Sequence, residues 1–374
     1  MEKKPTDSVS RREIVITAAV AAALIVLGLL WPRILAGREA LVETYYSNTV
    51  YQAIRIGFSA ATSLVPFSIA ELLLYGIAIS VTAQLIALLV RLILRRTTFR
   101  RLLSFLASLA LTAGILLNLF YVTWGFNYFR QPLSERMGLT VCARSADELE
   151  QFVLNTAAEA SALRETLHED ENGVFCPAES RRAIFNALPD AYDALAERFP
   201  AVYGSVTRAK AVLWSKGLSW QGISGVYIGL TAEPNVNVDQ PPLLLYEAAA
   251  HEMAHQLGIA SENEAEFSAY LACLSSDDPN VRYSGLIFAL IIGGNALCST
   301  DAERYRAAAE TYGDAIWRDL ADYDAYWDSF EGAARESADK RNDAYLKHNS
   351  QESGIKSYGE SVDLMLAYAA EYGG

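Results

Sequence analysis

The hydrophobic positions of this chain fall into two regimes. Residues 14–31 are 18 positions without a charge, residues 102–124 are 23, and residues 56–90 between them carry a single charge, Glu71. A helix needs about 20 apolar residues to cross a hydrocarbon layer about 30 Å thick. The middle run is too long for one span at about 1.5 Å per residue. Pro66 is placed to break it, leaving a surface or re-entrant piece and then a span over 72–90. The pattern therefore predicts three spans. Beyond residue 124 the period changes to that of amphipathic helices, over 147–168, 179–198, 301–312, 316–349 and 361–372. Residues 210–214 and 225–229 read as short strands. Residues 284–298 are apolar but short for a span, and predict a buried helix. The expected fold is mainly α with a small sheet, divided into a membrane region at 1–124 and a water-facing domain at 125–374.

Charge sharpens that division. Up to Trp124 there are twelve Lys and Arg against six Asp and Glu; beyond it there are nineteen against thirty-eight. A strongly acidic domain excludes nucleic acid as a partner, since that needs a basic footprint. Its many aromatics exclude disorder as its main description. Lys3, Lys4, Arg11 and Arg12 precede the first span, and Arg91, Arg95, Arg96, Arg100 and Arg101 lie between the second and third. Positive flanks stay in the cytoplasm, so the N-terminus is expected inside and the acidic domain outside. A cleaved signal peptide is the other reading of the first run, and two further hydrophobic runs argue against it. Glu71, the one acid among the spans, is either functional or a carboxyl bonded near the interface. Gly125-Phe126-Asn127-Tyr128-Phe129-Arg130 reads as an interfacial aromatic belt with Arg130 reaching for water.

No pair of the four cysteines forms a CxxC, so a cysteine zinc site is not expected. In an oxidising compartment Cys142 and Cys176 are candidates for a disulfide, while Cys273 and Cys298, in apolar helical runs, are expected as buried free thiols.

The chemistry lies in His251-Glu252-Met253-Ala254-His255. Pro241 and Pro242 precede the motif and Gly258 follows it, which predicts a helix over 242–257. Residues four apart share a face, so both imidazoles can grip one Zn²⁺ at about 2.0–2.1 Å. Glu252 points about 100° round the helix, where it can serve as general base without being a ligand. With only four His in the chain, an accidental match has odds of roughly a few in a thousand. A third ligand is needed. His168 and His348 are remote and lack partner motifs. Glu262, Glu264 and Glu266 follow Ser261, which looks like the N-cap of a second helix. Glu264 falls on that helix's apolar face with Phe267 and Leu271 and is the first choice as ligand. Glu266 and Glu262 are the alternatives, and a Ser-x-x-Glu capping box with Ser261 is the competing role for Glu264.

These residues carry a resemblance. The His-Glu-Met-Ala-His helix with a downstream Asn-Glu-Ala helix is similar to the glutamate-zincin metallopeptidases. The chain also resembles a functionally uncharacterised family of bacterial multi-pass membrane proteins with a zinc-protease-like domain. That second likeness rests on Trp124-Gly125-Phe126-Asn127-Tyr128-Phe129-Arg130, Glu233-Pro234-Asn235-Val236-Asn237, Arg282-Tyr283-Ser284-Gly285 and Lys356-Ser357-Tyr358-Gly359. The resemblance implies a zincin-like α+β metallopeptidase domain in the bacterial cell membrane, with Zn²⁺ as cofactor. One departure is that glutamate zincins place the third ligand well beyond the second His, whereas Glu264 is nine residues after His255. Members of the membrane family often have Asn where this chain has Glu266, which favours Glu264 or Glu262. The resemblance further implies that the strand near Tyr227 binds an extended substrate by strand addition and makes Tyr283 a candidate to stabilise an oxyanion, a core position being the other reading for a Tyr in an apolar helix. Glu233, Asn235 and Asn237 are candidates for the cleft lining, or else turn residues. The function expected is hydrolysis of a peptide or protein substrate outside the cytoplasm. The alternative is a non-catalytic zinc-binding envelope or sensing module on the same fold. A transporter has little support, since three spans leave no inverted repeat.

Overall fold

The computed structural model describes residues 10–94, 99–142, 144–349, 351 and 360–373. Lys3, Lys4, Arg95, Arg96 and the Lys356-Ser357-Tyr358-Gly359 segment lie outside these. The first helix, α1 (Arg11–Leu35), begins with a capping box between Ser10 and Glu13. A single turn, α2 (Glu39–Leu41), leads into a π-helix at Val42–Val50 and then α3 (Tyr51–Thr62). Pro66 sits in the break, as its missing N–H requires, and the chain restarts in α4 (Ile69–Ile93), followed by α5 (Phe99–Thr123).

Among the described residues four helices are long and apolar enough to cross a membrane: α1, α4, α5 and α12 (Pro279–Thr300). Their environments separate them. Of their most apolar windows, 11%, 0% and 11% are buried in α1, α4 and α5, against 67% in α12. α12 is thus the buried helix that its length predicts. α1 and α5 pack together, with Gly28 against Leu117 and Gly114 against Ala21 and Leu24. Such small residues let backbones approach closely. Asn118 adds polar ties, donating to Leu24 O at 2.8 Å and accepting from Trp31 Nε1 at 3.0 Å.

Beyond α5 come a 3₁₀ turn (Gly125–Phe129), the short α6 (Leu133–Met137), α7 (Ala146–Arg164) and α8 (Arg181–Arg198). Further on are α9 (Ser215–Ser219), α10 (Leu245–Gln256), α11 (Glu262–Leu274) and α12, then α13 (Ala302–Ala309), α14 (Asp314–Asp328), α15 (Ala333–His348) and α16 (Ser361–Tyr372). The helix expected over 316–349 is two helices, parted at Gly332, whose φ of +150° suits glycine alone. α10, α11 and α12 form the centre of the core, covered by α7, α8 and α16. The sheet has three short strands, β1 (Lys210–Ala211), β2 (Gly225–Ile228) and β3 (Glu233–Val236), in the order β1-β3-β2. β3 runs parallel to β1 and antiparallel to β2, and it occupies a segment expected to line a cleft or form turns.

Several expectations need correction. Cys142 and Cys176 are free and exposed, so they form no disulfide, and Cys298 is exposed while Cys273 is buried. Arg130 does not reach for water: it is buried and ion-paired with Glu43 at 2.7 Å. Glu71 sits in the first turn of α4 and accepts the N–H groups of Leu213 and Trp214 at 2.7 and 2.8 Å. It ties the helix to the sheet region.

Candidate metal centre

α10 carries the motif and starts at Leu245, three residues after Pro242. It ends in a Schellman turn: Gly258 N–H donates to His255 O at 2.9 Å and Ile259 N–H to Ala254 O at 3.3 Å. Gly258 has a φ of +80°, which a side chain resists, and a Cβ there would meet Tyr51 at 2.8 Å. The turn folds the Ile259 carbonyl back to accept His255 Nδ1–H at 2.7 Å. That bond makes Nδ1 the donor, so in the neutral ring Nε2 is the nitrogen with a free lone pair, the arrangement a metal-ligating imidazole needs.

The carbonyls at the end of any helix lack partners within it. Here residues from the membrane-like region supply them. Tyr51 Oη donates to Gln256 O at 2.9 Å and to His255 O at 3.3 Å, and Trp124 Nε1 donates to His255 O at 3.1 Å. Arg130 Nη1 donates to Gly258 O at 3.1 Å. Nothing in the local pattern of Tyr51, Trp124 or Arg130 announces that role. The nearest signal is an aromatic and basic cluster directly after an apolar run.

His251 and His255 stack edge to face with ring centroids 4.6 Å apart. Glu262 Oε2 lies 3.2 Å from His251 Nε2 and 3.6 Å from His255 Nε2. Ligand distances of about 2.0–2.2 Å in a tetrahedron put donor atoms about 3.4 Å apart, so the spacing fits a single small cation. His251, His255 and Glu262 are the one His/Cys/Asp/Glu group of this compactness among the described residues. Burial alone would raise the Glu262 carboxyl, but the two imidazoles hold it well below the usual range. Burial opposes the charge on His255, yet Glu262 outweighs it and His255 is pushed up to about 9.

The first-choice ligand, Glu264, is elsewhere. It points inward as its helical position predicts, but its Oε1 accepts Leu133 N–H at 2.6 Å, with the charges of Arg136 and Arg130 nearby. Nor does it form the capping box with Ser261. Glu266 is buried one turn below Glu262 with one oxygen unpartnered, and burial raises its carboxyl well above the usual value.

Glu252 is buried beside the cluster, and burial pushes its carboxyl up to about 8. It rests on β2: a Cβ at Gly225 would come within 2.5 Å of its Oε1, and the nearby Tyr227 backbone slightly favours its charged form. Gly225 therefore makes room for Glu252, a role the sequence reading did not assign. The Tyr227 hydroxyl meets that of Tyr51 at 3.1 Å, so its backbone, not its side chain, touches Glu252. Tyr283 is not at the cluster; its hydroxyl donates to Asp319 at 2.6 Å, and Asp319 also accepts from Arg164 at 2.7 Å, in the core. Glu233 and Asn237 are buried structural groups. The Glu233 carboxylate accepts the Ile69 and Ala70 N–H groups at 3.1 and 2.7 Å and pairs with Lys210. Asn237 donates to Ile223 O at 3.0 Å and accepts Asp239 N–H at 3.0 Å.

Residues 46–366 match the family model described as a protein of unknown function (DUF3810). The match covers most of the chain, and the protein belongs to that family. No curated protein and no solved structure matches the chain.

Proposed function

We propose that this protein is a membrane-anchored zinc peptidase whose site is His251, His255, Glu262 and Glu252. The observation that carries the reading is the convergence of two imidazole Nε2 atoms on one carboxylate oxygen, at 3.2 and 3.6 Å, with a second carboxylate beside them against β2. Bound there, Zn²⁺ would polarise a substrate carbonyl and acidify a water in its open position. The chain's own groups do the rest. Glu262 offsets the metal's charge, and the Ile259 carbonyl fixes the His255 ring. Glu252, with its proton affinity tuned by burial to near neutral pH, takes a proton from the attacking water and passes it to the departing amine nitrogen as the C–N bond breaks. β2 is an outer strand of its sheet, and its edge beside Glu252 offers an extended peptide a line of backbone partners.

α1, α4 and α5 are read as the spans, because their apolar windows are almost entirely uncovered, at most 11% buried. Arg11 and Arg12 start α1, Arg91 ends α4, and Arg100 and Arg101 start α5, whereas the opposite ends of α4 and α5 are the ones tied to β3 and α10. The positive-inside rule then puts the site outside the cytoplasm.

The test is zinc content and peptide-library cleavage for the full-length protein and for Glu252→Gln. One zinc in both and cleavage by the parent alone is the expected result. Zinc in both with cleavage in neither favours a non-catalytic zinc module, and a folded parent without zinc removes the metal site.

A further inference from the structure

The site lies next to the end of a proposed span. Trp124 is the first residue after α5; its indole donates to the His255 carbonyl at 3.1 Å and its ring centroid is 5.6 Å from that of His255. The same residue floors the strand edge: a Cβ at Gly229 would lie 2.4 Å from Trp124 Cβ. From Gly229 back to Tyr227 or Gly225, where β2 touches Glu252, is two to four residues, about 7–13 Å at about 3.3 Å each. A second observation fixes the same level. The first turn of α4 binds the backbone of Leu213 and Trp214 through Glu71, and both side chains are exposed, as are Leu64 and Phe67 just before α4. Exposed Leu, Phe and Trp at the start of a span are what the headgroup layer accepts. The headgroup layer is about 5–8 Å deep on each side, so the cluster sits at its outer margin.

We propose that the bond this site cuts belongs to a membrane-anchored polypeptide, within about four residues of where that chain leaves the bilayer. The proposal rests on the peptidase reading above. An extended chain pairing with β2 passes from the level of Trp124 to Glu252 in that length, whereas a soluble protein would have to bring a loop down against the headgroups.

The test uses the full-length protein in vesicles of phosphatidylethanolamine and phosphatidylglycerol. A transmembrane peptide carries a degenerate segment of about ten residues either directly after its span or beyond a helical spacer of about 40 Å. A third arm offers the same segment as free peptides, and Glu252→Gln is the control. Mass spectrometry reads the cut positions. Cleavage at least tenfold faster in the direct arm, clustered in the first few residues, is expected. A ratio below tenfold against the spacer or the free peptides overturns the proposal and leaves the peptidase reading standing. No cleavage dependent on Glu252 in any arm overturns both.

Discussion

At the scale of single residues, the proposed third ligand shows how periodicity can point to one carboxylate while packing brings another to the imidazoles. Helical periodicity put Glu264 inward, and it is inward. A buried carboxylate needs a partner, and the partner turned out to be the Leu133 N–H, supplied by a short helix 131 residues earlier in the chain. Glu262, at the first position of α11, reaches the imidazoles because α11 packs back along α10, which no local pattern encodes. Glu262→Gln should lower zinc affinity by more than about 100-fold, beyond the roughly 10–100-fold typical of losing an outer-sphere partner. Glu264→Gln keeps an acceptor for Leu133 and should leave zinc affinity within about twofold. Competition with a chromogenic chelator measures both, and the reverse ranking would refute the assignment. The His251-Glu252-x-x-His255 core needed no such context, because both imidazoles and their spacing lie on one helix.

Elements were legible where they carry their own boundary chemistry. α7 has its Ser145–Glu148 box and α8 its Ser180 cap, and both lie within four residues of their predicted bounds, whereas α12 starts at Asp278-Pro279, five residues before the apolar run at 284 that predicted it. β3 was missed because every one of its residues is buried, so it shows no alternation, and its Pro234 argues against a strand. The caps of α10 were equally hidden, since they come from Tyr51, Trp124 and Arg130. Tyr51→Phe removes the donor to Gln256 O and leaves a buried acceptor short of a partner, a loss of about 1–3 kcal/mol. The expected result is a Tm lower by several degrees in detergent, with zinc stoichiometry unchanged in the folded protein. An unchanged Tm would show that the carbonyl finds another donor.

At the scale of the whole molecule, the change of composition at residue 124 marks where the chain leaves its apolar regime, but packing does not divide there. Glu43, Tyr51, Arg55 and Thr62 all bond to groups beyond residue 124. The sequence shows the apolar runs plainly and shows none of these ties, because each joins positions 87 to 205 residues apart. The proposed orientation has a direct check. Alkaline phosphatase, which folds to activity only in an oxidising compartment, should be active when fused after Gly374. A green fluorescent reporter that lights there only in the cytoplasm should stay dark, and fluorescence would reverse the topology.

The anchoring of α4 has one more consequence. That helix has no buried residue in its apolar window, yet its N-terminal turn is clasped by Glu233 from β3 and its Glu71 holds the chain leaving β1. At 25 residues it is about 37 Å long, longer than the hydrocarbon layer it is proposed to cross, so it accommodates by leaning. Among the described residues its apolar window is left uncovered, so on this reading the angle would be set by lipid at one end and by two carboxylates at the other. If α4 crosses as proposed, a thinner or thicker bilayer would exert torque on the strands beside Glu252, and the membrane would become a mechanical input to the site.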